Sequence, residues 1–443
     1  MKKQFWKFAV IHCIGIVLIG FDAQSQTPYY MTSPVGYGAK ATGGGTPATS
    51  NIVTVTSSSA LTSALSGNKS IILVSGSITT SRIDFSASNK SIIGLPGAKL
   101  VNLTQTKDGS GILHLKSGSS NIIIRNLIFV GPGAYDVDGW DDLTNDGCTK
   151  LWVDHCEFQD GMDGNFDNTK TADNITVSWC KFTYLKTPKA GGSGGSNDHR
   201  FSNLVGGSDS DTPDDGKYSI TWLNCWWADG CVDRMVRARN AQIDMLNCYW
   251  NSSVASKNIH LSPGTNGTYV YVENGVFACS GKIVDFEETG NNNVVFVNCT
   301  GEDTNTGSVS APTYSWSSTP VGNVANMVSN STCGAGATLK VTSTGAISSS
   351  DCPTTDVSLN VEKTKNINPI MVDNDLNINF PASSSDNAVI SFYSINGQKM
   401  CSFSKKINAQ ENAKPNIRGL NTGAYVVKMQ DNNRILTSKI IKK

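Results

Sequence analysis

Seven short segments of this chain share one pattern, in which alternating apolar residues lead to Asn, His or Trp and then often to Cys. They are "NIIIRNLIF", "KLWVDHCEF", "NITVSWCKF", "SITWLNCWW", "QIDMLNCYW", "YVYVENGVF" and "NVVFVNCTG". Aligned on Asn126, His155, Trp179, Asn224, Asn247, Asn274 and Asn298, they recur at steps of 29, 24, 45, 23, 27 and 24 residues. A strand-length run returning at this interval cannot bury its inward face alone. Coils stacked about 4.8 Å apart can do so. The pattern predicts an all-β chain wound as a right-handed parallel β-helix. The step of 45 is either two periods or one period carrying an insertion.

Cys156, Cys180, Cys225, Cys248 and Cys299 fall at the same place in successive repeats. Disulfides or a metal site would need these side chains to converge, whereas stacking sets them in a row. A ladder of small buried thiols is therefore expected. Cys333 and Cys352 lie outside the ladder and are the better disulfide candidates.

The repeats occupy only part of the 443 residues. At the start, Lys2, Lys3 and Lys7 accompany an apolar run from Phe8 to Phe21, followed by the small residues of "AQS". Residues 1–25 thus read as a secretory signal. The run is too short to span a bilayer comfortably, and no later segment approaches that length, so no stable membrane insertion is expected. Residues 26–345 form the solenoid, with one short helix expected near Ser58 to Leu65. Residues 346–366 are a Ser/Thr-rich linker, and 367–443 read as a small β-sandwich with "NG" and "TG" turns. The formal charge is zero and Lys and Arg form no runs, which leaves a nucleic-acid partner without electrostatic support. A monomer is expected.

The stretch from Trp152 to Phe182 carries Asp154, Asp160, Asp163 and Asp167. Asp163 and Asp167 would lie roughly 13 Å apart on a flat strand, so sharing one ion requires a bend or converging side chains, and Gly164 would permit the bend. Asp141, in "DVDGWDD", stands 22 residues before Asp163. Stacked coils would bring it alongside, so three carboxylates would converge from two coils on a hard cation, for which Ca2+ is suited. Surface aspartates capping turns would give the same spacing. An EF-hand is excluded, because neither segment has its alternating ligand series. Downstream, "CVDRMVRARN" sets Arg234, Arg237 and Arg239 within six residues. Guanidinium forks suit sugar carboxylates, although strand parity would put Arg234 and Arg239 on opposite faces unless the chain turns between them. Trp226 and Trp227 could stack on a sugar or simply pack. A groove of this kind fits an acidic polysaccharide.

The ordered series "WVDH…DGMDGNFD…NITVSWCKF…LVGGSDSD…RMVRAR", with the opening "VGYGAKATGGG", resembles the secreted pectate lyases of the parallel β-helix class, polysaccharide lyase family one. The resemblance spans roughly residues 30–340. It implies that Asp141, Asp163 and Asp167 are calcium ligands, that Arg234 is the catalytic base and that Arg239 binds substrate. The substrate implied is polygalacturonate (pectate), cleaved by β-elimination to 4,5-unsaturated ends. An arginine base implies a preference for alkaline pH. Val236 stands where the family's Arg-x-Pro-x-x-Arg pattern has proline. The family also carries a Lys in a His-Asp-Lys-Thr-like stretch before a Leu-Ile-Gly coil. Here "YLKTPKAGGSGGSNDHRFSNLVGG" splits that region, leaving Lys186 at its start and Arg200 near its end, with Lys186 preferred for the substrate carboxylate. The tail, through "ISFYSINGQ", "IRGLNTGAYVV" and its basic end, resembles the C-terminal sorting domain read by the type IX secretion system. It implies export to the cell surface or beyond. Two other functions stay open: a β-helix glycoside hydrolase using paired acids, and a non-catalytic binder of acidic polysaccharide.

Overall fold

In the computed structural model the described residues are 29–350 and, beyond them, the strands of residues 368–442. The signal segment 1–25, most of the linker and Cys352 lie outside them. Contacts divide the chain into two compact units, Met1–Ser350 and Asp351–Lys443.

In the first unit eight coils each contribute one strand to each of three parallel sheets, and one further strand at either end of the first sheet brings them to ten, eight and eight strands. The first sheet runs from Ile52–Val55 to Asn292–Val297, and the repeats form seven of its later strands or their ends. Its register stacks like on like. Ile122, Leu151, Ile175, Ile220, Ile243, Val270 and Val294 form one inward column. The step of 45 is one coil with an insertion, because Ile175 pairs directly with Ile220.

The positions on which the repeats align make the corner between the first and second sheets. All seven have φ between 46° and 56°. An L-residue pays least for that left-handed corner when it is Asn, whose short amide can bond locally. The amides also tie successive coils together: Asn247 Nδ2 donates to Asn224 Oδ1 at 2.9 Å, and Asn274 Nδ2 to Asn247 Oδ1 at 3.2 Å. His155 takes the same corner with its ring between Asp154 and the Tyr29 carbonyl, at 2.9 and 3.0 Å. One residue on, the cysteines are free thiols, and Cys156, Cys180, Cys225 and Cys248 are buried. Cys333 is disulfide-bonded.

Inside, the second sheet stacks Phe129, Phe158, Phe182, Trp227, Trp250 and Phe277, with successive centroids 4.3–5.7 Å apart and near-parallel planes. Trp227 is therefore core. Trp226 points outward, stacked on Tyr249 and under the Lys181 ammonium, and also serves packing.

One helix, Ser58–Ser66, is capped by Ser57 Oγ, which accepts from Ala60 N, and it buries Leu61, Ala64 and Leu65 against the first coils. Two further segments cover the first sheet and its corners. Residues 29–44 bond across several coils, through Met31 O to Arg125, Val35 O to Thr176 and Thr42 N to Asn121. Residues 314–339 do the same through Tyr314 to Asp244, Thr319 N to Asn247 and Leu339 N to Asn126. The acidic and arginine residues lie elsewhere, on the third sheet and the loops entering it. No helix among the described residues is long and apolar enough to cross a membrane.

The second unit forms two antiparallel sheets of three and four strands. In the larger, Ile390 and Phe392 alternate inward and Phe392 pairs with Val427, all three buried.

Candidate functional site

Asp141 precedes the third-sheet strand Leu143–Asp146, and Asp167 lies within the next, Phe166–Thr169. The register sets Leu143 beside Phe166, and Asp142 N donates to Gly164 O at 3.2 Å. Gly164 thus stands against Asp141 in the stack. A Cβ at Gly164 would lie 2.7 Å from Asp141 Oδ1 and 3.1 Å from Asp167 Oδ1. The two carboxylates converge on the room that this glycine leaves. Its backbone is not left-handed; the chain bends at Met162, Asp163 and Asn165 on either side of it, and the glycine also supplies space.

Both carboxyls are only 6% exposed. Asp141 Oδ2 accepts from Thr144 Oγ1 at 2.8 Å, and Asp167 Oδ1 accepts from Leu204 N at 2.9 Å. Asp141 Oδ1 is buried with no hydrogen-bond partner. Burial, then the charges of Asp167 and Asp163, push the Asp141 carboxyl well above the carboxylate range. Burial also pushes Asp167 up to about 7, although Arg234 and the Leu204 N–H pull the other way. An orphaned carboxylate oxygen beside a second buried carboxylate, with Asp163 near, is an all-oxygen donor set that fits a hard divalent cation. Asp138 is separate, on the surface against Lys107 at 2.5 Å. Asp154 is also separate, buried between Arg125 and His155.

Arg234 follows two coils later. Asn165 N donates to Ser202 O, and Ser202 N in turn to Asp233 O, at 2.8 and 2.9 Å. Arg234 has φ 60°, and the Met235–Val236 peptide is cis. Its guanidinium carbon sits 4.8 Å from the centre of the Phe201 ring, in the intervening coil. The strand begins only at Arg237, so Arg234 lies before it and strand parity does not oppose it to Arg239. Arg237 and Arg239 share the outward face. Arg237 bonds Glu287 at 2.5 Å, and Arg239 lies 3.3 Å from Asp209 and 3.8 Å from Glu287. Burial, and next the charge of Arg234, lower the pKa of Arg237, which ties the three into one electropositive row.

Lys186 and Arg200 are held by other partners. The Lys186 ammonium donates to Gly131 O at 2.5 Å and lies 3.8 Å from Asp160. Arg200 bonds both oxygens of Asp198, at 2.7 and 2.5 Å. The coil level between the acids and Arg234 belongs instead to Phe201, which bridges to Asp233. Its chain neighbour Arg200 turns instead to Asp198, and no sequence signal distinguished the two. Sequence reasoning also passed over His199, whose Nε2 lies 3.1 Å from Asp163 Oδ1 and whose Nδ1 lies 3.4 Å from Asp136 Oδ1.

The parallel β-helix is the fold shared with a solved pectate lyase of Bacillus subtilis. That structure superposes with a TM-score of 0.52 at 21% identity, over 72% of this chain and 99% of that one. Residues 12–338 match the family model described as pectate lyase, and residues 366–443 match the secretion system C-terminal sorting domain. The chain belongs to the pectate lyase family. Among curated relatives, pectate lyase B of Colletotrichum gloeosporioides is 30% identical over 64% of this chain and 80% of its own length. A pectate trisaccharide-lyase of Thermotoga sp. (strain RQ2) is 31% identical over 37% of this chain, and the chain spans only 40% of that relative.

Proposed function

We propose that this chain is an exported, calcium-dependent pectate lyase that cleaves polygalacturonate by β-elimination. The observation that carries this reading is the convergence of Asp141 and Asp167 on the gap at Gly164, with Arg234 two coils along the same side. Asp141, Asp163 and Asp167 would hold the ion. Bound there, calcium would neutralise a uronate carboxylate and so acidify the neighbouring C5 proton.

Arg234 would take that C5 proton, and the C5–H electron pair would become the C4=C5 double bond as the C4–O bond breaks. The departing glycosidic oxygen would then be protonated from solvent, and Arg234 would return its proton to water. Arg239, on the same sheet, would anchor a further uronate through its fork. Lys186 is proposed to add charge at the edge of the groove, with Arg200 as the second candidate. The tail is proposed as a type IX export signal, the linker as residues 346–366 and the removable leader as residues 1–25.

The test is incubation of the purified protein with polygalacturonate, with and without a chelator. Ultraviolet-absorbing unsaturated ends that vanish with chelator are expected. Reducing ends without unsaturation would replace the reading by a hydrolase, and binding without cleavage by a non-catalytic binder.

A further inference from the structure

Of the three carboxylates, Asp141 is fixed by Thr144 and Asp167 by the Leu204 N–H, but Asp163 lies in a loop and accepts no such bond. Its polar neighbour among the described residues is His199, with Nε2 at 3.1 Å. The opposite ring nitrogen faces Asp136 at 3.4 Å; both contacts are ion-pair distances, and neither nitrogen makes a hydrogen bond of good geometry. The ring is 6% exposed and packs against Phe201, centroid to centroid at 4.1 Å.

Asp136 is itself held by the insertion that lengthens this coil. Ser196 N donates to Asp136 Oδ2 at 2.7 Å, and Gly194 N donates to Asp136 O at 2.9 Å. A Cβ at Gly194 would lie 1.9 Å from Asp136 Oδ1, and one at Gly192 would lie 2.0 Å from its carbonyl. Only a glycine-rich loop can lie so close. The insertion is therefore fitted to Asp136.

We infer that His199 is a positioning residue that holds Asp163 in its ligating orientation, buttressed by Asp136 and the 190–196 loop. This rests on the reading of Asp141, Asp163 and Asp167 as a calcium site. Although Asp136, Asp163 and His199 lie close enough together to suggest a second metal, the imidazole turns opposite nitrogens to the two carboxylates. With Asp163 at 3.1 Å from Nε2 and Asp136 at 3.4 Å from Nδ1, the ring spans the two carboxylates as a bridge, and the ion count in the titration below separates this from a second metal site. Ligand-orienting partners of this kind change metal affinity by about ten- to a hundredfold when removed.

The test is calorimetric titration of the full chain with Ca2+, together with melting in chelator. His199→Ala should weaken affinity about ten- to a hundredfold without changing stoichiometry, while melting in chelator stays put. His199→Gln, whose amide can still reach Asp163, should recover part of the loss, and Asp136→Asn should show a smaller loss. Unchanged affinity in His199→Ala overturns the inference, as does loss of one ion from two, which would make His199 a ligand. Should His199→Ala melt early in chelator, Asp136→Asn decides, and unchanged affinity there overturns the inference. If the wild-type chain takes up no calcium, the underlying reading fails as well. If Asp141→Asn abolishes uptake while His199→Ala leaves it intact, only the positioning role fails.

Discussion

The Phe201 ring lies 4.8 Å beneath the guanidinium carbon of Arg234, so the residue proposed as base rests on an aromatic face. A cation over a ring at a partly exposed site is held by about 0.5–1 kcal/mol. Phe201→Leu, which keeps apolar bulk but removes the π face, should lower kcat/KM about two- to fivefold. Phe201→Lys should lower KM for polygalacturonate, because an ammonium at that coil level would meet a uronate carboxylate. Steady-state rates on the same substrate read both.

Arg234→Ala should abolish the unsaturated product, with a loss of at least about a hundredfold, the lower range for a general base. Calcium uptake should persist or tighten, since Arg234 offsets the charge of Asp141 and Asp167. Ultraviolet product assays and calcium titration on the same preparation separate the two effects.

The acids also predict a pH dependence of stability in chelator. Asp141 and Asp167 have folded pKa values above the unfolded range, the latter about 7. Between about pH 4 and pH 7 the folded state then holds more protons than the unfolded state, so stability falls as pH rises through that window. Asp141→Asn removes one buried charge and relieves the other. The variant should melt higher than wild type in chelator at pH 8, with a flatter profile, and should lose calcium uptake. Equal melting temperatures at pH 8 would contradict this.

The corner asparagines can be tested at Asn247, which has φ 51° and bonds Asn224, Asn274 and Thr319 N through its amide. Asn247→Ala loses the left-handed preference and leaves those buried groups unpaired, at a cost of about 2–4 kcal/mol. Asn247→Gly keeps the backbone freedom and should cost less. Chemical denaturation of the solenoid unit measures the difference.

Much of this fold is written in the spacing of a few residues. The alignment on Asn126 through Asn298 marked the left-handed corner, and the cysteine one step on marked a buried position, because each coil meets the same steric demand at the same place. The grouping of Asp141 with Asp163 and Asp167 was legible for the same reason: coil length turns sequence distance into stacking. The insertion disrupts that arithmetic. His199 and Phe201 fall just after it, where counting along the chain no longer tells which coil level a residue occupies. The coverage of the first sheet by residues 29–44 was likewise hidden, since it depends on single bonds to distant coils rather than on any period.

The insertion between Thr183 and Leu204 leaves Ile175 paired with Ile220 as though it were absent. A fold whose walls ignore the length of one corner can acquire new material at its working edge without renegotiating its interior. Substrate preference and scaffold can then diverge along separate lines of descent. For engineering, a loop exchanged at this corner is the change least apt to be felt as lost stability.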